Sequence, residues 1–162
     1  MTVCHSMNIQ ISTTSAGQVD ADWLIVPAVE KFAFDGELGA LNTALGGQIE
    51  RLREMQDFTG KVAETLVVPA PLGIGARRLL LVGLGASDKL TVAGLNRALM
   101  SAARVASGKP SGRVAVQLTG TAAGNLTLGQ QVQLAAAALT VGCVGQDLFK
   151  SEKKRHPFGE VE

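Results

Sequence analysis

The residue types that do chemistry are present in this chain, but they are scattered. Nucleophilic hydrolysis needs a nucleophile, a base and an orienting group brought together. The two histidines, His5 and His156, lie in the terminal segments with no motif around them and read as solvated residues. The two cysteines, Cys4 and Cys143, stand near opposite ends of the chain. They form neither a CxxC pair nor a zinc-type spacing. Cys143 falls on an apolar helical stripe, where a thiol behaves as a small hydrophobe. The carboxylates Asp20, Asp22, Glu30, Asp35, Glu37, Glu50, Glu54, Asp57, Glu64 and Asp88 are dispersed. A two-metal hydrolase needs several of them converging with a Lys, Arg or His, and no compact cluster of that kind is visible. Glu50 and Glu54 are one helical turn apart beside Arg51 and Arg53, the pattern of a solvated helix face. The sequence assigns no catalytic, cofactor-binding or metal-ligating residue to this chain.

One segment carries a partial phosphate-loop signature. Gly83-Leu84-Gly85 directly follows an apolar run, as in loops whose backbone N–H groups cradle a phosphate. The pattern stops after two glycines: Asp88 stands where the third is required. The acidic residue expected ~20 positions later is missing, because that neighbourhood reads Ala102-Ala103-Arg104. The favoured reading is a tight turn at the end of a strand. Lys153-Lys154-Arg155 is a basic trio diluted by Glu152 and too short for firm nucleic-acid binding.

Composition narrows the classes. With 162 residues, 46% hydrophobic and 18% charged, the chain suits one domain with a real core. The net charge of +1 gives no global attraction to nucleic acid or an anionic membrane. Only 4% of residues are aromatic, too few for a base-stacking surface. No signal-peptide pattern opens the chain, so a cytoplasmic protein with reduced thiols is expected. No charged residue occurs between Arg113 and Asp147, but the run Leu134 to Val144 is well short of the ~20 residues a bilayer crossing needs.

The elements that would position these residues follow from periodicity. Met7 to Thr13 alternates as a half-buried strand. Trp23 to Val26 is a continuous apolar run, the mark of a strand buried on both faces. Leu38, Leu41, Leu45, Ile49 and Leu52 form one stripe on a helix over residues 37–56, which Gly46-Gly47 can break. Glu64 to Val68 and Leu79 to Gly85 read as strands, the second central. Thr91 suits an N-cap for a helix over 92–107 with Leu95, Leu99, Ala102, Ala103 and Ala106 on its apolar face. Val114, Val116 and Leu118 alternate as a strand. Leu128, Val132, Ala135, Leu139 and Cys143 line a last long helix. Strands interleaved with helices predict an α/β domain of three layers, α/β/α, around a mixed, mainly parallel sheet. The charged run from Lys150 to Pro157 reads as an exposed tail or linker.

Three stretches, taken in order, resemble the amino-terminal domain of the leucyl (cytosol) aminopeptidase family. They are Asp57-Phe58-Thr59-Gly60-Lys61, Arg77 to Gly85 followed by Leu90-Thr91 and Arg97-Ala98, and the Ala-rich last helix running into Leu148-Phe149-Lys150-Ser151. With Ala21 to Val26 as the early strand, the likeness covers roughly residues 7–152. The family usually has an aromatic residue soon after the last helix, where this chain has Gly145-Gln146-Asp147-Leu148. The resemblance implies a macro-domain-like fold over residues 1–149, with 150–162 as the start of a linker to an absent carboxy-terminal catalytic domain. It implies a parent that removes amino-terminal residues from peptides with two divalent metals, zinc or manganese, and assembles as a homo-hexamer. The family's Asn-Thr-Asp-Ala-Glu-Gly-Arg motif belongs to the catalytic domain and is absent here, so no catalytic residue carries over. This chain alone is expected to be inactive, supporting assembly and access to the active site in its parent. The alternative is a macro-type module that binds ADP-ribose or another nucleotide with Gly83 to Ser87 near the phosphates. A third reading is a pure interaction module with an exposed apolar patch.

Overall fold

The computed structural model describes residues 7–118, 126–150, 152 and 154–162. Among these, six strands form one sheet: β1 (Asn8–Ile9), β2 (Trp23–Ala28), β3 (Thr65–Pro69), β4 (Arg78–Gly83), β5 (Arg113–Val116) and β6 (Glu160–Val161). Their spatial order is β1-β6-β5-β2-β4-β3. All neighbours are parallel except β3, which runs antiparallel to β4 at one edge. The α-helices of the described residues are α1 (Gly36–Ala44), α2 (Gln48–Glu54), α3 (Val92–Ala106) and α4 (Leu128–Val144). The mixed, mainly parallel three-layer sheet is the architecture the sequence predicts.

The unbroken apolar runs of β2 and β4 find their reason in the two cores. Trp23, Ile25, Leu80 and Val82 point to one face and pack under α3 and α4. Leu24, Val26, Leu79 and Leu81 point to the other and pack under Leu41, Leu45, Ile49, Phe32 and Phe58. A strand buried on both sides has no polar face to alternate. The alanines of α3 and α4 let the two helices approach closely. A Cβ on Gly142 of α4 would lie 2.6 Å from the Cβ of Ala103 and 3.1 Å from the carbonyl oxygen of Met100. Thr91 caps α3 by accepting from the Gly94 N–H at 3.0 Å. Thr127 and Gln130 form a reciprocal capping box at the start of α4.

The stripe over residues 37–56 breaks, as Gly46-Gly47 allows, into two helices, because both glycines take positive φ, 61° and 78°. Three expectations are corrected. Met7 to Thr13 pairs only over Asn8–Ile9, because its partner β6 offers two residues and no more. The buried face of α4 is Gln131, Ala135, Ala138, Leu139, Gly142 and Cys143, whereas Leu128 is 56% exposed. The segment after Lys150 is not an exposed tail throughout. Phe158 is 0% exposed, and Glu160–Val161 enters the sheet between β1 and β5. The polar run 150–157 hides this return, and two strand residues are too few to show a period.

The returning segment is fastened at several points. The Asp147 carboxylate accepts the N–H groups of Lys154 and Arg155 at 2.5 and 2.6 Å. The Arg155 guanidinium donates to the Arg104 carbonyl and the Ser107 hydroxyl at 2.9 and 3.1 Å, covering the carboxyl end of α3. The His156 N–H donates to the Ser107 carbonyl.

Candidate functional site

The glycine turn after β4 is filled with protein. The Gly83 N–H donates to the Glu64 carbonyl, Leu84 to Ala28 and Gly85 to Gly60, at 2.8, 2.9 and 2.8 Å. All three N–H groups are thus spent on carbonyls rather than turned toward open space. A Cβ on Gly83 would sit 1.9 Å from the Lys61 carbonyl oxygen. Close approach of the 60–63 loop is therefore the reason for glycine at this position.

The carboxylates whose titration is shifted are also tied to the backbone. Asp22 accepts from Gly112 and Arg113 N–H groups at 2.7 and 3.2 Å and pairs with Arg77 at 3.2 Å. Burial pushes its pKa upward, but these N–H bonds and the Arg77 and Arg78 charges outweigh it and hold Asp22 below the ordinary carboxylate range. Glu64 accepts from Thr59 N–H, Thr59 hydroxyl and Lys61 N–H at 3.0, 2.9 and 3.1 Å. For Glu64 too, burial acts upward and the donated hydrogen bonds win, so its pKa is lowered. Asp147 behaves in the same way, with burial opposed by the Lys154 and Arg155 N–H groups and by the charges of Lys150 and Arg155. Each is a loop anchor that accepts at least two backbone N–H groups.

Cys143 is buried, and desolvation raises its thiol pKa. That is the inert direction for a nucleophile. His156 is exposed and lines a shallow depression with Asp22 and Ser111. The types of a hydrolytic relay meet there, a juxtaposition that residues 22, 111 and 156 do not advertise in sequence. Among the described residues the Ser111 hydroxyl has no hydrogen-bond partner, and Asp22 is committed to Gly112, Arg113 and Arg77, so no relay is assembled. Among the described residues no three His, Cys, Asp or Glu side chains converge as a metal site. The described residues therefore do not fit a pair of divalent metals. Cys4 and His5 lie outside the described residues, as does Lys153 of the basic trio. Among the described residues no helix is long and apolar enough to cross a membrane.

A second concavity among the described residues is one that sequence reasoning did not single out. It is a groove of about 530 Å³ at the carboxyl ends of β1, β5 and β6. Val116, Val132, Ala135 and Leu139 form its floor, and Ile9, Ile11 and Leu128 its apolar rim. Ser12, Thr13, Thr14, Gln117 and Glu37 supply polar groups. Crevices outside the carboxyl ends of parallel strands are where open α/β sheets bind ligands. The signal available in sequence was weak: Ile9, Ile11 and Leu128 are apolar residues at the ends of elements.

Comparison with known proteins assigns the chain. The model of the cytosol aminopeptidase family, N-terminal domain, matches residues 25–153. A probable cytosol aminopeptidase of Ralstonia nicotianae is 34% identical over 99 residues, 61% of this chain and 20% of that protein. Its counterpart in Chromohalobacter salexigens is 28% identical over 155 residues, 93% of this chain and 30% of that protein. This chain thus spans a fifth to a third of the length of these relatives. Among solved structures, a tomato leucine aminopeptidase variant superposes with a TM-score of 0.78 at 23% identity, covering 99% of this chain and 33% of that one. A Trypanosoma brucei macrodomain in complex with ADP superposes at 0.68 with 14% identity, covering 95% of this chain and 62% of that one. These structural likenesses show a shared macro-like fold. The sheet, its order and the family match agree, and the chain belongs to the cytosol aminopeptidase family as its N-terminal domain.

Proposed function

We infer that this chain is the non-catalytic N-terminal domain of a larger leucyl aminopeptidase, supporting assembly and controlling access to an active site held elsewhere. The observation that carries this reading is the match itself: an N-terminal-domain model covers residues 25–153, while the matched segments make up only 20% and 30% of the two relatives. The use of Asp22, Glu64 and Asp147 as acceptors for loop N–H groups supports it, because those bonds hold each carboxylate against its own backbone. In this reading the two divalent metals, zinc or manganese, are held by the carboxy-terminal domain, and the parent is a cytoplasmic homo-hexamer. Residues 150–162 then lead toward that domain while Phe158 and Val161 remain part of this one. Incubating the chain with leucine p-nitroanilide and manganese or zinc is expected to release no product above buffer. Turnover proportional to chain concentration would overturn the inference.

A second reading, a macro-type nucleotide module, draws on the groove at the strand ends and on the fold shared with the ADP-bound macrodomain. The occupied N–H groups of Gly83, Leu84 and Gly85 weigh against phosphates at that turn. Calorimetric titration with ADP-ribose separates the two. Binding weaker than ~1 mM supports the accessory domain, and a micromolar site supports the module.

A further inference from the structure

We draw no further inference here: the strongest candidate, the outer face of α4, where no charged residue stands from Leu128 to Val144 and Val141 is 57% exposed, carries nothing because nothing in the structure shows what covers it.

Discussion

Gly83 shows how a residue that resembles a ligand contact is used for packing. A methyl group there meets the Lys61 carbonyl at 1.9 Å, whereas one at Gly36 meets nothing within 4 Å. Gly83→Ala is expected to cost about 3 kcal/mol through forced backbone displacement. Gly36→Ala, whose φ of +50° is its sole handicap, costs about 1 kcal/mol. Urea unfolding of the two variants measures the difference. The need for glycine after β4 was legible from the sequence. The destination of its N–H groups was not, because the accepting carbonyls of Ala28, Gly60 and Glu64 come from distant segments. The anchoring carboxylates make a pH prediction of definite sign. Asp22, Glu64 and Asp147 have folded values below their ordinary 3.8, 4.5 and 3.8. Their stabilisation is complete above those ordinary values and is lost as pH falls through them toward the lower folded values. The unfolding midpoint in urea is therefore expected to drop between about pH 5 and pH 2. Glu64→Gln should show a shallower drop over that window. A slope unchanged by Glu64→Gln would contradict its role as an ionised anchor.

At the level of elements, the corner between α1 and α2 depends on a residue that periodicity passes over. Asn42 is buried, and its side-chain oxygen accepts the Glu50 N–H at 3.1 Å across the Gly46-Gly47 break. It thus serves the first turn of α2 as a cap supplied from the preceding helix. Asn42→Ala is expected to lower stability by about 1–2 kcal/mol, seen as a lower midpoint in thermal unfolding. Asn42→Asp, which keeps an acceptor, should restore part of the loss. The apolar stripes of α1, α2 and α3, the Thr91 cap and the buried strands β2 and β4 could all be read from residue spacing, since each is a local pattern. The boundary of β1 and the existence of β6 could not. Both are two-residue strands whose pairing joins Asn8 to Glu160 and Ile9 to Val161, and only tertiary structure places them side by side.

For the whole molecule, the late return of the chain has a clear consequence. Phe158 is fully buried in the core beneath α3 and α4, and β6 carries β1 on its outer side. Phe158→Ala is expected to cost about 3–5 kcal/mol, and a chain ending at Pro157 should lose its cooperative melting transition by circular dichroism. A truncated chain with an unchanged transition would show that the sheet is complete without β6. The groove was the least legible feature, because its rim is assembled from residues 9, 11 and 128, apolar side chains that no motif links. Among the described residues no metal centre is gathered, and the proposed function places the aminopeptidase chemistry in the remainder of the parent. Isothermal titration of the 162-residue chain with manganese tests it most directly. Only weak uptake is expected, in the range of ~1 mM or above; two equivalents bound at micromolar concentration would contradict it.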